Sequence, residues 1–245
     1  MDGWRDIPSY EAGRIAGIPV RFDALYPLMP GAIALSLIGR NAPGYGSLAL
    51  FALIIIAGAT LSILLHELGH AIAARCYDLR TREIRVSGFY GLATIEHQGL
   101  KRGQEIAILI AGPLTNAAIF VLLWMALGMP ALSGRLYFDM GSLESMRQQD
   151  WLTSNSLRWL AYFNLGLTVF NLVPAFPLDG GRICRAYFSG TVTDGKLVRA
   201  IAYCGVFIGV WSFFGAAAFP SLFGAGILLI VANYAIAKGE VPPPD

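Results

Sequence analysis

Residues 48–74 read LALFALIIIAGATLSILLHELGHAIAA, an apolar run in which Glu67 is the one Asp, Glu, Lys or Arg. About 20 apolar residues suffice for a helix to cross a bilayer, so this run predicts a transmembrane helix. In that helix His66 and His70 lie one turn apart on the same face, with Glu67 beside them. Because a charged side chain at the bilayer centre costs at least about 2.5–3.5 kcal/mol, these polar groups predict a site that faces protein or water rather than lipid.

The composition of the whole chain agrees with a membrane protein. Of its 245 residues, 56% are hydrophobic and 14% are charged, whereas soluble domains carry about 25% charged residues. Apolar stretches separated by short charged segments predict six spans, roughly at 24–39, 48–74, 104–128, 157–178, 200–219 and 221–237. An alternative treats the last two as one re-entrant segment. The predicted fold class is an all-α polytopic membrane protein with about six transmembrane helices.

Two segments outside the predicted spans favour β-structure. Residues 14–22 (RIAGIPVRF) are short, apolar and β-branched, which is typical of a strand. Residues 83–96 (EIRVSGFYGLATIE) alternate in polarity and are broken by two glycines, which predicts a β-hairpin. Strands next to a membrane core predict a small membrane-associated sheet.

The distribution of basic residues predicts the orientation. Fourteen of the 18 lysines and arginines fall on the side that holds both ends of the chain and the loops after the second and fourth spans. Cytoplasmic loops carry the excess of Lys and Arg, so both termini and the site are expected on the cytoplasmic side. The N-terminus has neither a signal-peptide pattern nor an organellar targeting segment, which favours a prokaryotic cell membrane.

Charge and cysteine content exclude other classes of protein. The net charge of +2 is too small to indicate nucleic acid as a partner. The three cysteines have no CxxC spacing, which argues against a disulfide framework.

The motif HELGH, residues 66–70, indicates metal chemistry. Two imidazoles one helical turn apart can hold one zinc ion, and Glu67 can take a proton from a water on the metal. A structural hydrogen-bonded cluster is the alternative. A third ligand is expected, and the candidates are His97, in a basic loop, and Asp179. Asp179 is preferred because the prolines and glycines around it break the fourth span and let the carboxylate turn back.

Two asparagines lie in or at the end of predicted spans. Asn116 and Asn171 could each bind the substrate backbone, and Asn116 could also stabilise a developing oxyanion in catalysis. The alternative for both is a hydrogen bond to a neighbouring helix.

The chain resembles the site-2 protease family of intramembrane metalloproteases, peptidase family M50. The family pairs HExxH with an N-x-x-P-x-x-x-x-D-G segment, which is matched here by Asn171, Pro174, Asp179 and Gly180. The third span adds AGPLTN, residues 111–116, which is similar to the family's small-residue segment with an asparagine. The two motifs together are highly specific.

This resemblance implies a function and a set of roles. His66, His70 and Asp179 would be the zinc ligands, and Glu67 would be the catalytic acid and base. The implied substrates are membrane proteins cleaved in or near a transmembrane segment, in some cases under the control of a regulatory membrane partner. Residues 1–245 are expected to form one membrane-embedded metalloprotease domain without a PDZ or CBS module.

The sequence is also compatible with three other classes of protein. A transporter or metal channel would carry polar residues along a path through several spans, whereas here they cluster at one depth. A di-iron membrane oxidase would need more than the three histidines present. The third is a catalytically inactive relative that acts as a metal-binding or partner-binding module, although the four motif residues are intact.

Overall fold

The computed structural model describes residues 8–28, 30–31, 45–87, 91–96, 100–128, 148–190, 194–215, 221–240 and 242. Within them the chain is mostly helical with a small sheet. The elements in chain order are β1 (Ser9–Ile15), β2 (Ile18–Asp23), α1 (Tyr45–Arg75), β3 (Thr81–Val86), β4 (Gly91–Ile95), α2 (Arg102–Ala126), α3 (Gln148–Asn171), α4 (Asp179–Phe188), α5 (Asp194–Gly215) and α6 (Ser221–Lys238).

The four strands form one sheet in the order β1-β2-β3-β4. The outer pairs are antiparallel and the central pair, β2 and β3, is parallel. The antiparallel pairing of β3 with β4 confirms the hairpin predicted over 83–96. The prediction of a single strand over 14–22 is wrong, because the chain reverses at Ala16 and Gly17, which have φ of +50° and +84°. Two consecutive residues with positive φ make the tight turn of a two-residue hairpin.

Helix α1 carries a buried stripe that leads directly to the site. Ile55, Ala59 and Ile63 recur every four residues and are buried, as expected for one face of a helix. The inner face of the sheet packs against this stripe through Ile84 and Val86 of β3. The sheet is therefore held against α1 immediately before the HELGH motif.

The ends of α1 and α2 explain how the hairpin is placed between them. Helix α1 ends at Arg75, where the Leu79 N–H donates to Ala74 O at 3.1 Å and Asp78 takes a left-handed φ of +59°. This is the arrangement that turns a chain sharply out of a helix. At the start of α2, the Lys101 N–H donates to Gln104 Oε1 at 2.9 Å, which satisfies a backbone donor at the helix N-terminus.

Three helices in the described part of the chain are long and apolar enough to cross a membrane. They cover Ala49–Arg75, Arg102–Ala126 and Asp194–Ser212. Large apolar side chains on these helices point outward, including Leu53, Leu122 and Phe207. The prediction of a membrane protein is thereby confirmed, while the number of six spans stays a prediction. Most of the first predicted span, 24–39, lies outside the described residues.

The fourth predicted span, 157–178, has different limits in the structure. Helix α3 begins earlier, at Gln148, and ends at Asn171. The chain then runs irregularly to Leu178 before α4 begins at Asp179. The interruption lies at Pro174 and Pro177, because the proline ring removes a backbone donor and clashes with the preceding helical turn.

Candidate active site

The structure brings His66, His70 and Asp179 together in the interior. The two histidines come from α1, and Asp179 is the first residue of α4. His66 Nε2 and His70 Nε2 lie 3.1 Å and 3.3 Å from the same atom, Asp179 Oδ2, and 3.1 Å from each other. All three residues are buried, with 5–6% of their surface exposed. They form a group of possible metal ligands within the described part of the chain.

The outer nitrogen of each imidazole has its own acceptor. His66 Nδ1 donates to Asn116 Oδ1 at 2.5 Å, and His70 Nδ1 donates to the Ile108 carbonyl oxygen at 2.8 Å. An acceptor at Nδ1 selects the tautomer that leaves the Nε2 lone pair free. Two lone pairs and a carboxylate oxygen therefore face one another, and a cation between them would satisfy all three.

The shape of the site fits a zinc ion. Zinc bonds of about 2.0–2.1 Å in tetrahedral geometry place neighbouring ligand atoms about 3.3 Å apart, close to the 3.1–3.3 Å separations found here. Gly112 of α2 lies opposite the ligands, and a Cβ at that position would collide with Nε2 of both His66 and His70. The missing side chain leaves space beside the two Nε2 atoms, where a metal ion would be held.

Glu67 lies beside the ligand group but is not part of it. Its side chain is 5% exposed, and the first residue of β4, Gly91, packs directly on its carboxyl group. A Cβ at Gly91 would lie 2.6 Å from Glu67 Cγ and 2.7 Å from Cδ. The hairpin therefore covers Glu67, and a larger residue than glycine has no room at this contact.

Asn116 belongs to a buried chain of hydrogen bonds that ends on His66. Its Nδ2 donates to Asn164 Oδ1 at 2.8 Å and to the Ser62 carbonyl oxygen at 3.3 Å. Asn164 Nδ2 in turn donates to Ser62 Oγ at 3.0 Å. Because both ends of the Asn116 amide are occupied, these contacts favour a role in holding His66 over direct contact with substrate.

The other predicted site residues are placed as follows. Asn171 is half-buried at the end of α3, where its Nδ2 donates to Leu167 O at 3.0 Å, one turn back in its own helix. His97 lies outside the described residues.

The sequence analysis did not single out Asn164 and Asn233, which are fully buried. For Asn233 the available signal was an amide within an otherwise apolar helix, the same signal that pointed to Asn116.

Two histidines one turn apart on a helix, with a carboxylate from a second helix and a glutamate next to the first histidine, form a site typical of zinc metallopeptidases. Residues 53–212 match the family model for peptidase family M50, and the chain belongs to that family. The predictions of a membrane metalloprotease family and of zinc as its cofactor are thus confirmed.

Curated relatives and a solved structure are similar to this chain. Zinc metalloprotease MJ0392 from Methanocaldococcus jannaschii is 33% identical over 52% of this chain and 32% of its own length. Stage IV sporulation protein FB from Bacillus subtilis is 26% identical over 63% of this chain and 48% of its own. The chain thus spans about a third to a half of the length of these relatives. The solved structure of the site-2 protease from Methanocaldococcus jannaschii superposes with a TM-score of 0.60 and 25% identity, covering 95% of this chain and 93% of that one.

Proposed function

We propose that this protein is an intramembrane zinc metalloprotease that hydrolyses peptide bonds in or near the transmembrane segments of membrane-protein substrates. The observation that carries this proposal is the buried group of His66, His70 and Asp179. The two histidines and Glu67 lie on a helix long enough to cross a bilayer. Family membership over residues 53–212 supports the same activity.

In the proposed mechanism His66, His70 and Asp179 would hold zinc. Zinc at this position would lower the pKa of a bound water toward about 7 and polarise the carbonyl group to be cleaved. Glu67 accepts a proton from the attacking water and later delivers it to the leaving amine. Asn116 fixes the orientation of His66 through the 2.5 Å hydrogen bond to Nδ1.

Substrate binding is the second part of the proposal. A helical substrate must unwind before its backbone can reach a water activated by Glu67. The extended backbone could then pair with an edge of the β3–β4 hairpin, in the manner of an added strand. Asn171, at the end of α3, would bind the substrate backbone close to Asp179. Substitutions along the hairpin edge that leave the cleavage of every substrate unchanged would exclude this pairing.

We further propose a multi-pass topology. Residues 1–245 would form one membrane-embedded domain with about six crossings, and the basic segments and the site side would face the cytoplasm of a prokaryotic cell. A membrane partner that controls access to the site is compatible with this arrangement.

The decisive experiment compares the wild type with Glu67→Gln in membranes, using a library of single-span substrates, with bound zinc measured in both. Loss of cleavage is expected in Glu67→Gln, by at least about 100-fold for a general acid and base, with zinc retained because Glu67 is not a ligand. Glu240→Gln, the same change at an exposed position, should keep full activity.

Other outcomes would contradict the proposal in different ways. A wild type that binds zinc and cleaves nothing would favour an inactive binding module. A wild type that binds no zinc would overturn the assignment of the ligands themselves.

A further inference from the structure

The segment that delivers Asp179 is held from behind by a side chain of the last helix. Phe176 lies in the irregular stretch between α3 and α4, where its backbone N–H and C=O are outside any helix or strand. Both groups bind one side chain: the Phe176 N–H donates to Asn233 Oδ1 at 3.0 Å, and Asn233 Nδ2 donates to Phe176 O at 2.5 Å. Phe176 and Asn233 are fully buried.

An amide is required at position 233 because the contact uses a donor and an acceptor together. The remaining Nδ2 proton of Asn233 is donated to Leu229 O at 2.8 Å, which ties the side chain to its own helix. Leucine would remove all three hydrogen bonds, and aspartate would keep only the acceptor. A buried backbone group that loses its hydrogen-bond partner is strongly destabilised, so the segment has a strong preference for this arrangement.

The neighbouring helix is shaped to admit this amide. Gly205 of α5 faces Asn233, and a Cβ at Gly205 would lie 2.5 Å from Asn233 Nδ2 and 2.6 Å from Oδ1. The close approach of α5 to α6 therefore depends on glycine at this point. Gly205 therefore lies directly against the Asn233 amide.

The position of Phe176 is transmitted to Asp179 through backbone packing. Gly181, two residues after Asp179, lies against the backbone of Ala175 and Phe176, where a Cβ would be 2.6 Å from Ala175 O and 3.1 Å from Phe176 N. The Phe176 side chain is anchored in a buried cluster with Leu197 and Ile236. A shift of Phe176 would therefore move the start of α4, and with it the Asp179 carboxylate.

We propose that Asn233 is a positioning residue for the metal site, which acts by clamping the Phe176 backbone so that Asp179 is presented to His66 and His70. This inference rests on the proposed zinc site. It makes α6, which contributes no ligand of its own, a determinant of zinc affinity.

The test uses the full chain purified in detergent, as wild type, Asn233→Leu and Asn155→Leu. The control makes the same substitution at a buried position of α3, about 13 Å along the helix axis from Asn164. Zinc affinity is measured by competition with a chromophoric chelator, ligand geometry by the visible spectrum of the Co²⁺-loaded protein, and stability by thermal unfolding of the metal-free form.

Asn233→Leu is expected to lower zinc affinity about tenfold or more, in line with other groups that orient metal ligands, and to weaken the Co²⁺ absorption bands. Asn155→Leu is expected to lower the unfolding temperature without changing either metal readout. If Asn233→Leu does not fold, Asn233→Asp keeps the side-chain shape and should still weaken zinc binding.

Equal zinc affinity and equal Co²⁺ spectra in the wild type and the folded Asn233 variants would overturn the clamp while leaving the zinc site intact. A wild type without zinc would instead overturn the proposed function.

Discussion

At the scale of single residues, the proposed metal site depends on a missing side chain as well as on the side chains that are present. Gly112 has no side chain where a methyl group would collide with Nε2 of His66 and His70. The outer nitrogens of the same two imidazoles are held by Asn116 and by the Ile108 carbonyl oxygen. One glycine thus keeps the coordination space open, while two acceptors direct the lone pairs into it.

Gly112→Ala is expected to reduce zinc affinity by at least about 100-fold, because the new methyl group occupies the space in front of both Nε2 atoms. Alanine favours a helix more than glycine does, so α2 should be retained. The measurement is metal content after dialysis against a weak chelator, with circular dichroism as the check on folding. Gly166→Ala, at a helical glycine with open space around it, should bind zinc as the wild type does. Full zinc content in Gly112→Ala would contradict the assigned position of the ion.

At the scale of elements, the β3–β4 hairpin connects the sheet to the chemistry. Ile84 and Val86 of β3 are anchored on α1 through Ala59 and Ile63, and β4 begins on the Glu67 carboxyl group at Gly91. The hairpin is therefore fixed through β3 and contacts the proposed catalytic residue Glu67 through β4. A disturbance at Gly91 should reach Glu67 without passing through the metal ligands.

Gly91→Ala is expected to lower the rate of substrate cleavage about tenfold or more and to leave zinc affinity unchanged. The added methyl group must displace either β4 or Glu67, since it would lie within 2.7 Å of the Glu67 side chain, and a displacement on the order of 1 Å can cost about 100-fold in rate. Cleavage assays in membranes and chelator competition provide the two measurements. Gly103→Ala, at the open start of α2, is the control, and a parallel loss of zinc in Gly91→Ala would show that the hairpin also supports the ligands.

At the scale of the whole molecule, the proposed ligands arrive from two groups of elements. The histidines of α1 are oriented by α2 and, through Asn164, by α3. Asp179 of α4 follows the segment bound by α6 through Asn233. The proposed site forms only where these two groups of elements meet.

The proposed topology predicts the accessibility of cysteines. Cys76, exposed at the end of α1, should face the cytoplasm. In a Cys184→Ala/Cys204→Ala background, a membrane-impermeant maleimide should label Cys76 in inverted vesicles and not in right-side-out vesicles. With Cys76 also replaced by alanine, Ser142→Cys, between α2 and α3, should show the reverse pattern. Labelling of Cys76 only in right-side-out vesicles would contradict the orientation derived from the basic residues. Labelling of both positions from the same side would contradict a membrane crossing between them.

Much of the fold followed from local pattern. The composition predicted a membrane protein, and alternation around two glycines predicted the β3–β4 hairpin. The prediction failed at residues 14–22, where apolar β-branched residues concealed a turn at Ala16 and Gly17. An Ala-Gly pair is a weak turn signal, because alanine rarely takes a positive φ.

By itself the sequence determined what the backbone geometry of one element controls. His66 and His70 lie one turn apart on the same face of α1, with Glu67 beside them, because a helix repeats every 3.6 residues. The sequence pointed to Asp179 as the third ligand, but the tertiary structure decided the actual contacts between residues far apart in the chain. His66 meets Asp179 across 113 positions and Asn116 across 50, and Phe176 meets Asn233 across 57. Such contacts depend on how the helices pack against one another. The periodicity of side chains within one helix shows which face is buried, but it does not show which neighbouring helix that face will contact.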